Sequence, residues 1–533
     1  MTSPTPPERA TPLAAPPDDA SAASPSQQEA THLTQPAAPK LAIPAIAVAR
    51  RRGRARTAAA VLAGRATGAL ARRLRIGGGT SLPGLIAQYT DPQLVRHLAS
   101  QLQHGSVILT GTNGKTTTSG LAAYILRASG LRIWRNREGS NLMRGVATAL
   151  LMRSTPTGAL RQQGDAAFVF EVDEAAFPKA VAEVQPRVVV VTNLFRDQLD
   201  RYGEVDTVAE HWRIALRKLP AEATLILNAD DPAVAALADA HSGPTLYYGV
   251  EDAPNADDPS RQAGQTDVVD TRTCPRCRAP LTYSKRFYSH IGHWACPNCG
   301  FARPTPQIRA TRVIAAGLDE SRFILATPEG EQEARVGLPG LYNVYNALAA
   351  ASVGVAMGAD FAAIQSGLTR FTPAFGRAER IEADGRTVHI LLTKNPTGLN
   401  EVLRAIASGD AGLGAAHHQR YLLTLLNDRA ADGEDVSWIW DADFEQLAGT
   451  TAQLTVGGVR AYDLALRLKY AGSPPDHVEP DIAQALTYAL EHTPVGATLY
   501  VVPTYTAMLA VRGELERRGH AQHYWEQGDA LDV

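Results

Sequence analysis

The stretch "LTGTNGKTTTSG" holds the residues best suited to chemistry: Gly111, Thr112, Asn113, Gly114, Lys115, Thr116 and Thr117. A glycine-rich turn between a strand and a helix points backbone N–H groups and the positive end of the helix dipole at an anion. Lys115 adds a charge for the outer phosphates of ATP, and the Thr116 hydroxyl is suited to ligate Mg²⁺. The common phosphate loop has four residues between its glycines. Here Gly111 and Gly114 enclose only Thr112 and Asn113. A glycine turn with an incidental lysine is the plain alternative. Against it, strand, Gly-Lys-Thr and helix follow in the order that phosphate binding needs.

The second group is Cys274, Cys277, Cys296 and Cys299, in "CPRC" and "CPNC". Two C-x₂-C pairs at this interval are a zinc-ribbon signal. Four thiolates close a tetrahedral site with no open position, so the Zn²⁺ is expected to be structural. A redox pair would not explain two pairs at ribbon spacing. A nucleic-acid-binding ribbon would need more basic groups than "LTYSKRFYSHIGHWA" carries.

These residues need a frame. "SVILTG" reads as a buried strand entering the glycine turn, and "TTTSGLAAYILRASG" as a helix ended by Gly130. "AAFVFEVDEA", "PRVVVVTNL" and "ATLILNADDP" are apolar runs bounded by turns, as parallel strands should be. Strands alternating with helical segments predict an α/β fold with a doubly covered parallel sheet. The Asp-rich loop 251–270 and the cysteine block interrupt this pattern, which resumes at "NVYNALAAASVGVAMG". The strands "TVHILLT", "RYLLTLLND", "AQLTVGG" and "TLYVVPTY" predict a second, Rossmann-like α/β domain. The expected division is a disordered tail (1–45), a basic helical segment (46–100), a central ATPase domain (101–372) with the ribbon inserted at 270–303, and a C-terminal domain (373–533).

Composition bounds the rest. The chain has 533 residues, 45% apolar and 20% charged, with a net charge of −2, which suits a globular protein and gives no general attraction to polyanions. No apolar run approaches the ~20 residues of a membrane span, and the N-terminus has no secretory pattern. A cytoplasmic protein is expected. Residues 41–90 contain no acidic residue, and nine arginines lie between Arg50 and Arg75. That stretch reads as a solvated basic helix or, more sharply, as a weak attachment to the inner face of an anionic membrane.

The shortened loop resembles that of the Mur ligase superfamily, whose fold folylpolyglutamate synthases share. "FEVDEA", "TNLFRDQLDRYG", "LNADDP", "GLYNVYNALAA" and "FGRAER" resemble further motifs of that superfamily. The resemblance implies Mg²⁺ at Glu171 with Thr116, adenine-end contacts from Asn343 and Asn346, and Arg377 near the phosphates. Two positions depart from it. The superfamily's metal-binding His is Gln198 here, and the Lys that many members carbamylate falls at Trp212. One Mg²⁺ is therefore expected.

"LLTKNPTGLNEVL", "LLNDRAADGEDVSWIWDADFE", "RAYDLALRLKYAG" and "PTYTAMLAVRGEL" resemble the MurT family, the ligase-like subunits of lipid II isoglutaminyl synthase. The resemblance implies ATP-dependent amidation of the D-glutamate α-carboxylate in the lipid II stem peptide, through an acyl phosphate. It also implies a heterodimer with a GatD-type glutamine amidotransferase and no nucleic-acid partner. An aspartate within "NDRAADGEDVSWIWD" is expected to orient the partner's catalytic His. Asp428, Asp432, Asp435 and Asp441 are the candidates. Asp435 is preferred because "VSWIW" can anchor its backbone, and Asp432 is second. With all four cysteines committed to zinc, no thiol is left to release ammonia from glutamine. The competing readings are a stand-alone ligase adding an amino acid and a zinc-ribbon ATPase that binds nucleic acid.

Overall fold

Strand runs such as Val188–Val191 are apolar at every position because both faces of their sheet are covered. The computed structural model describes residues 55–74, 82–136, 140–161, 164–196, 205–253, 271–317, 320–372, 377–408 and 420–521. The tail, the first residues of "GGGTSLPG", most of the loop 251–270 and Gln198 lie outside these.

The first sheet contains β1 (Ser106–Thr110), β2 (Arg132–Arg135), β3 (Ala166–Glu171), β4 (Val188–Val191), β5 (Thr224–Asn228) and β6 (Thr245–Val250). The cysteine block supplies a separate hairpin, β7 (Thr282–Tyr288) and β8 (Ile291–Ala295). Next come β9 (Ile308–Ala316), β10 (Ser321–Thr327) and β11 (Gly330–Val336), which complete the first sheet in the order β11-β10-β9-β6-β5-β4-β1-β3-β2. It is parallel from β2 to β9, and β10 and β11 add an antiparallel edge. Within β1, Val107 and Leu109 face a core shared with the helices Lys115–Ala128, Leu341–Ala356 and Phe361–Arg370. Ile108 faces the opposite core, with Val146 and Leu150 of the helix Met143–Met152. Each fully buried aliphatic side chain contributes about 1.5–3 kcal/mol.

The helix Ala55–Leu74 corrects the reading of a solvated basic segment for the part the structure describes; Arg50, Arg51, Arg52, Arg54 and Arg75 lie outside the described residues. It buries Ala60 and Val61 in the second core and packs on the helix Leu82–Thr90. A Cβ on Gly64 would lie 2.4 Å from Leu151 Cδ1, so glycine permits the close approach. Arg56 donates to the Thr90 carbonyl and Arg65 to that of Ser154, which makes both part of the packing.

The second sheet comprises β12 (Arg377–Ala383), β13 (Arg386–Leu391), β14 (Arg420–Leu425), β15 (Thr451–Gly457), β16 (His477–Glu479) and β17 (Thr498–Pro503). Its order is β12-β13-β17-β14-β15-β16, parallel except for β12. Leu422 and Tyr500 face one core, Leu423 and Val501 the other. Among the described residues, no helix is long and apolar enough to cross a membrane.

Candidate active site and metal centre

In an open parallel sheet, ligands bind beyond the strand C-termini where the strand order reverses. That point is β1, between β3 and β4. The phosphate loop leaves β1 with Gly111 at φ +136° and Gly114 at φ +83°, and the helix Lys115–Ala128 starts at once. Gly114 has a second constraint: a Cβ there would lie 2.0 Å from Asn346 Oδ1.

Neighbouring strand ends hold the loop. Thr112 N–H donates to the Asn193 carbonyl, and Asn113 N–H to Asn193 Oδ1 at 2.8 Å. Thr192 Oγ1 and Asn193 Nδ2 both donate to the Asn113 carbonyl. Thr116 Oγ1 donates to Glu171 Oε1 at 2.7 Å, which brings the two expected Mg²⁺ ligands together at the end of β3. Asn136 clamps that strand end by exchanging hydrogen bonds with the Glu171 backbone. A hydroxyl and a carboxylate in contact beside a phosphate loop are hard oxygen donors that fit Mg²⁺. Lys115 Nζ lies 2.8 Å from Glu174 Oε1 and also donates to the Gly111 and Thr112 carbonyls. Glu174, the last acid of "FEVDEA", carried no role in the sequence reading.

The other expected positions are spread around this centre. Asn346 accepts from Thr118 Oγ1 and donates to Asn343 Oδ1, so the pair backs the phosphate loop from the helix Leu341–Ala356. Arg377 opens β12, and only its backbone is described. Trp212 is fully buried, edge-on to Phe177, with Nε1 donating to the Glu174 carbonyl. An indole thus fills the position with which the Mur ligase resemblance aligns a lysine.

The second domain meets the loop through Asn395. Its Nδ2 donates to Asn113 Oδ1 at 2.9 Å, and Asn113 Nδ2 returns a longer contact of 3.4 Å. Asn395 Oδ1 also accepts from Gly398 N–H, capping the helix Pro396–Ser408.

The four candidate aspartates differ in setting. Asp432 is buried, and its carboxylate accepts from Thr506 N–H and Oγ1. Asp428 accepts from Arg460, which also binds Asp463. Asp441 lies 3.8 Å from Arg196. Asp435 is exposed, and hydrogen bonds from Ser437 hold its carboxyl below the usual range. The short helix that follows is anchored by the buried Ile439.

The cysteine sulfurs all lie within 4.8 Å of one another, with Cys274–Cys299 at 3.6 Å and Cys277–Cys296 at 3.4 Å. Tetrahedral Zn–S bonds of about 2.3 Å put sulfurs about 3.8 Å apart, so the donor set and its size both fit zinc. Asn298 helps to bring the Cys277 thiol down to about 6. The Phe301 N–H favours the Cys299 thiolate, but burial and the neighbouring sulfurs outweigh it and hold that thiol up at about 12. The hairpin docks on the "NADDP" turn. Gly292 N–H donates to the Asp230 carbonyl, Trp294 Nε1 to that of Ala229, and Arg303 pairs with Asp230 at 2.5 Å.

Comparisons with known proteins agree with this architecture. Residues 109–273 match the Mur ligase middle domain, and 392–508 match the MurT ligase C-terminal family. The MurT subunit of lipid II isoglutaminyl synthase (glutamine-hydrolyzing) from Streptococcus pneumoniae is 33% identical over 469 residues, covering 87% of this chain and 98% of that one. Its counterpart from Staphylococcus aureus is 35% identical, covering 86% and 96%. Among solved structures, a pseudomurein peptide ligase type C from Methanothermus fervidus aligns with a TM-score of 0.59 at 23% identity, covering 78% of each chain. The UDP-N-acetylmuramoylalanyl-D-glutamyl-2,6-diaminopimelate–D-alanyl-D-alanyl ligase of Acinetobacter baumannii aligns at 0.57 and 18% identity, covering 82% and 80%. These two establish the fold. The near full-length relatives and the matched C-terminal domain establish more: the chain belongs to the MurT family of Mur-type ligases.

Proposed function

We propose that this chain amidates the α-carboxylate of D-glutamate in the lipid II stem peptide, using ATP, and receives ammonia from a GatD-type glutaminase subunit. One observation carries the reading: a complete phosphate loop stands in a chain whose four cysteines are all drawn into one cluster. Such a chain can activate a carboxylate but has no thiol with which to attack glutamine. The names of the relatives, lipid II isoglutaminyl synthase subunits, support the same substrate.

A carboxylate oxygen attacks the γ-phosphorus, the bond to the bridging oxygen breaks, and ADP leaves. Ammonia then attacks the acyl carbon, phosphate departs, and the amide nitrogen loses a proton. Lys115 offsets phosphate charge, and loop N–H groups orient the chain of phosphates. Thr116 and Glu171 would hold one Mg²⁺, which neutralises further charge. Asn343, Asn346 and Arg377 complete the nucleotide site in this reading, and Cys274, Cys277, Cys296 and Cys299 would hold Zn²⁺.

A candidate partner surface includes Trp440, which follows Asp435 in the same loop and short helix. Tyr462, Leu466 and Tyr470 recur every fourth residue along the helix Ala461–Tyr470 and are 70%, 49% and 73% exposed. Trp440, half exposed, packs edge-on against Tyr470. An apolar stripe of this kind marks a protein interface, and the glutaminase is its occupant. In this reading Asp435, which is exposed and kept ionised by Ser437, orients a histidine of the partner. Asp432 is committed to Thr506, and Asp428 to Arg460.

The test is ATP-dependent amidation of lipid II by the chain alone. Ammonium is expected to support it and glutamine only after the partner is added. Turnover driven by an amino acid would indicate an adding ligase, and stimulation by DNA or RNA a nucleic-acid-binding ATPase. Glutamine use by the chain alone would overturn the two-subunit reading. Asp435→Asn is expected to remove glutamine-dependent activity and spare ammonium-dependent activity. Full glutamine use in that variant would exclude Asp435.

A further inference from the structure

Hairpin turns ordinarily run over the surface, where water satisfies their backbone. The turn between β7 and β8 is buried: His290 and Ile291 are fully enclosed, and Tyr288 and Ser289 nearly so. Ser289 holds φ +48°, an uncommon conformation for a residue with a Cβ. Tyr283 Oη donates to the His290 carbonyl at 3.1 Å, and Gly292 N–H to that of Asp230. The turn is thus fixed inside the central domain. Two of its side chains reach groups that hold the candidate nucleotide residues.

We infer that this turn positions both ends of the nucleotide site, with His290 acting on the phosphate loop and Tyr288 on the helix that carries Asn343 and Asn346. The inference rests on the ATP site of the function proposed above. His290 packs its ring on that of Phe195 at 4.8 Å, and its Nε2 lies 3.3 Å from Asp231 Oδ2. The second contact lacks hydrogen-bond geometry, so shape as well as charge fixes the imidazole. Asp231 Oδ2 accepts from Leu194 N–H at 3.0 Å, and its Oδ1 from the N–H groups of Ala233 and Val234. Phe195 N–H in turn donates to Thr112 Oγ1 at 3.0 Å, and that hydroxyl donates to the Phe195 carbonyl at 3.2 Å. Thr112 belongs to the phosphate loop, so a shift of Phe195 passes to the loop in one step. On the other side, Tyr288 meets Tyr345 edge-on at 5.7 Å, and Tyr345 Oη donates to Asp230 Oδ2 at 2.7 Å. Tyr345 precedes Asn346, whose Oδ1 occupies the space beside Gly114. A close-packed interior has no free volume to absorb such shifts, and phosphoryl transfer depends on placement within about 1 Å. His290 and Tyr288 act through Phe195, Asp231 and Tyr345, as positioning residues.

Calorimetric titration of ADP into the full-length, zinc-loaded chain tests this without turnover. His290→Leu and Tyr288→Leu are each expected to weaken ADP binding about tenfold. In ammonium-driven amidation they should raise the KM for ATP by about the same factor while the KM for lipid II holds. His290→Phe keeps a ring on Phe195, and His290→Gln keeps a donor towards Asp231, so each is expected to recover part of the loss. Phe323→Leu, a buried change on β10, controls for stability alone. At an equal fall in unfolding midpoint it is expected to bind ADP as the parent does. Parent-like ADP affinity in both Leu variants, or an equal loss in Phe323→Leu, overturns the inference. Where a Leu variant does not fold, His290→Phe and His290→Gln decide: weakened binding in either supports the inference, and parent-like affinity in both overturns it. A parent chain that binds ADP but amidates no lipid II removes the substrate reading and leaves the titration to decide. One that binds no ADP overturns the site and the inference together.

Discussion

Asn395→Asp isolates the bridge between the phosphate loop and the second domain. The side chain has two duties. Its Oδ1 caps the helix Pro396–Ser408 through Gly398 N–H at 2.8 Å, and its Nδ2 donates to Asn113 Oδ1 at 2.9 Å. Aspartate keeps the capping oxygen and loses the donor, placing an anion against Asn113 Oδ1. A buried hydrogen bond contributes about 0.5–1.5 kcal/mol net, and leaving an acceptor unpaired costs about 1–3 kcal/mol. Asn395 is 2% exposed, so the upper part of that range applies. About 1.4 kcal/mol corresponds to a tenfold fall in kcat/KM for ATP. The assay is ammonium-driven amidation at varied ATP, alongside thermal unfolding. Asn395→Asp is expected to lose about tenfold in kcat/KM and a comparable ~1.4 kcal/mol of stability from the same lost bond. Asn395→Ala is expected to lose activity and about a further 1 kcal/mol of stability, because the cap goes too. In the Asn113→Ala/Asn395→Ala cycle the losses should fall short of additivity by about 1 kcal/mol. Parent-like kcat/KM in Asn395→Asp, or strictly additive losses, would refute the bridge.

Lys115→Ala is expected to abolish ATP-dependent amidation. Because it also strands the buried Glu174 carboxylate, Lys115→Ala/Glu174→Gln should restore the unfolding midpoint without restoring activity. Gly114→Ala should weaken nucleotide binding about tenfold or more, since left-handed backbone costs about 1–2 kcal/mol for a non-glycine residue and Asn346 occupies the space; titration with ADP checks it. Ser at any one of the four cysteines should release zinc, read by metal analysis; a variant lacking two of them that keeps its zinc would refute the cluster. His389 is buried, and burial together with the Arg380 charge depresses it to about 3. Its unfolded state therefore binds the extra proton as pH falls below about 6.5, and stability declines towards pH 3 by up to about 1.4 kcal/mol per pH unit. Denaturant melts of His389→Met should show that slope flattened, and an unchanged slope would refute the assignment.

The phosphate loop and the thiol cluster were legible because their residue types are dictated locally. Positive φ at Gly111 and Gly114 demands glycine, and four sulfurs demand spacing. The apolar runs of β1, β3, β4 and β5 announced a sheet covered on both sides. The strands β9 to β11 went unread because they are half exposed and alternate, so no continuous apolar run marks them. Arginines concealed the buried face of the helix Ala55–Leu74, which is made of small residues. The Asn113–Asn395 contact joins residues 282 positions apart, and no local pattern encodes it. Asp432 and Asp435 look equivalent in sequence. They separate only because Thr506, on a distant helix, claims the first.

The parallel pairing of β6 with β9 gives the ribbon a further meaning. Tyr248 pairs with Ile308 and Val250 with Ala310, so a chain leaving β6 must travel back the length of the strand before β9 can begin. Parallel neighbours need a crossover of a dozen or more residues, usually a helix. Here the cysteine hairpin occupies that connection, seated on Ala229 and Asp230 at the end of β5. The insertion is consequently a topological link that a short turn cannot replace. If the cluster holds zinc as proposed, a chain lacking the metal would be expected to seat this link less firmly and to leave β6 an open sheet edge exposed to wrong pairing.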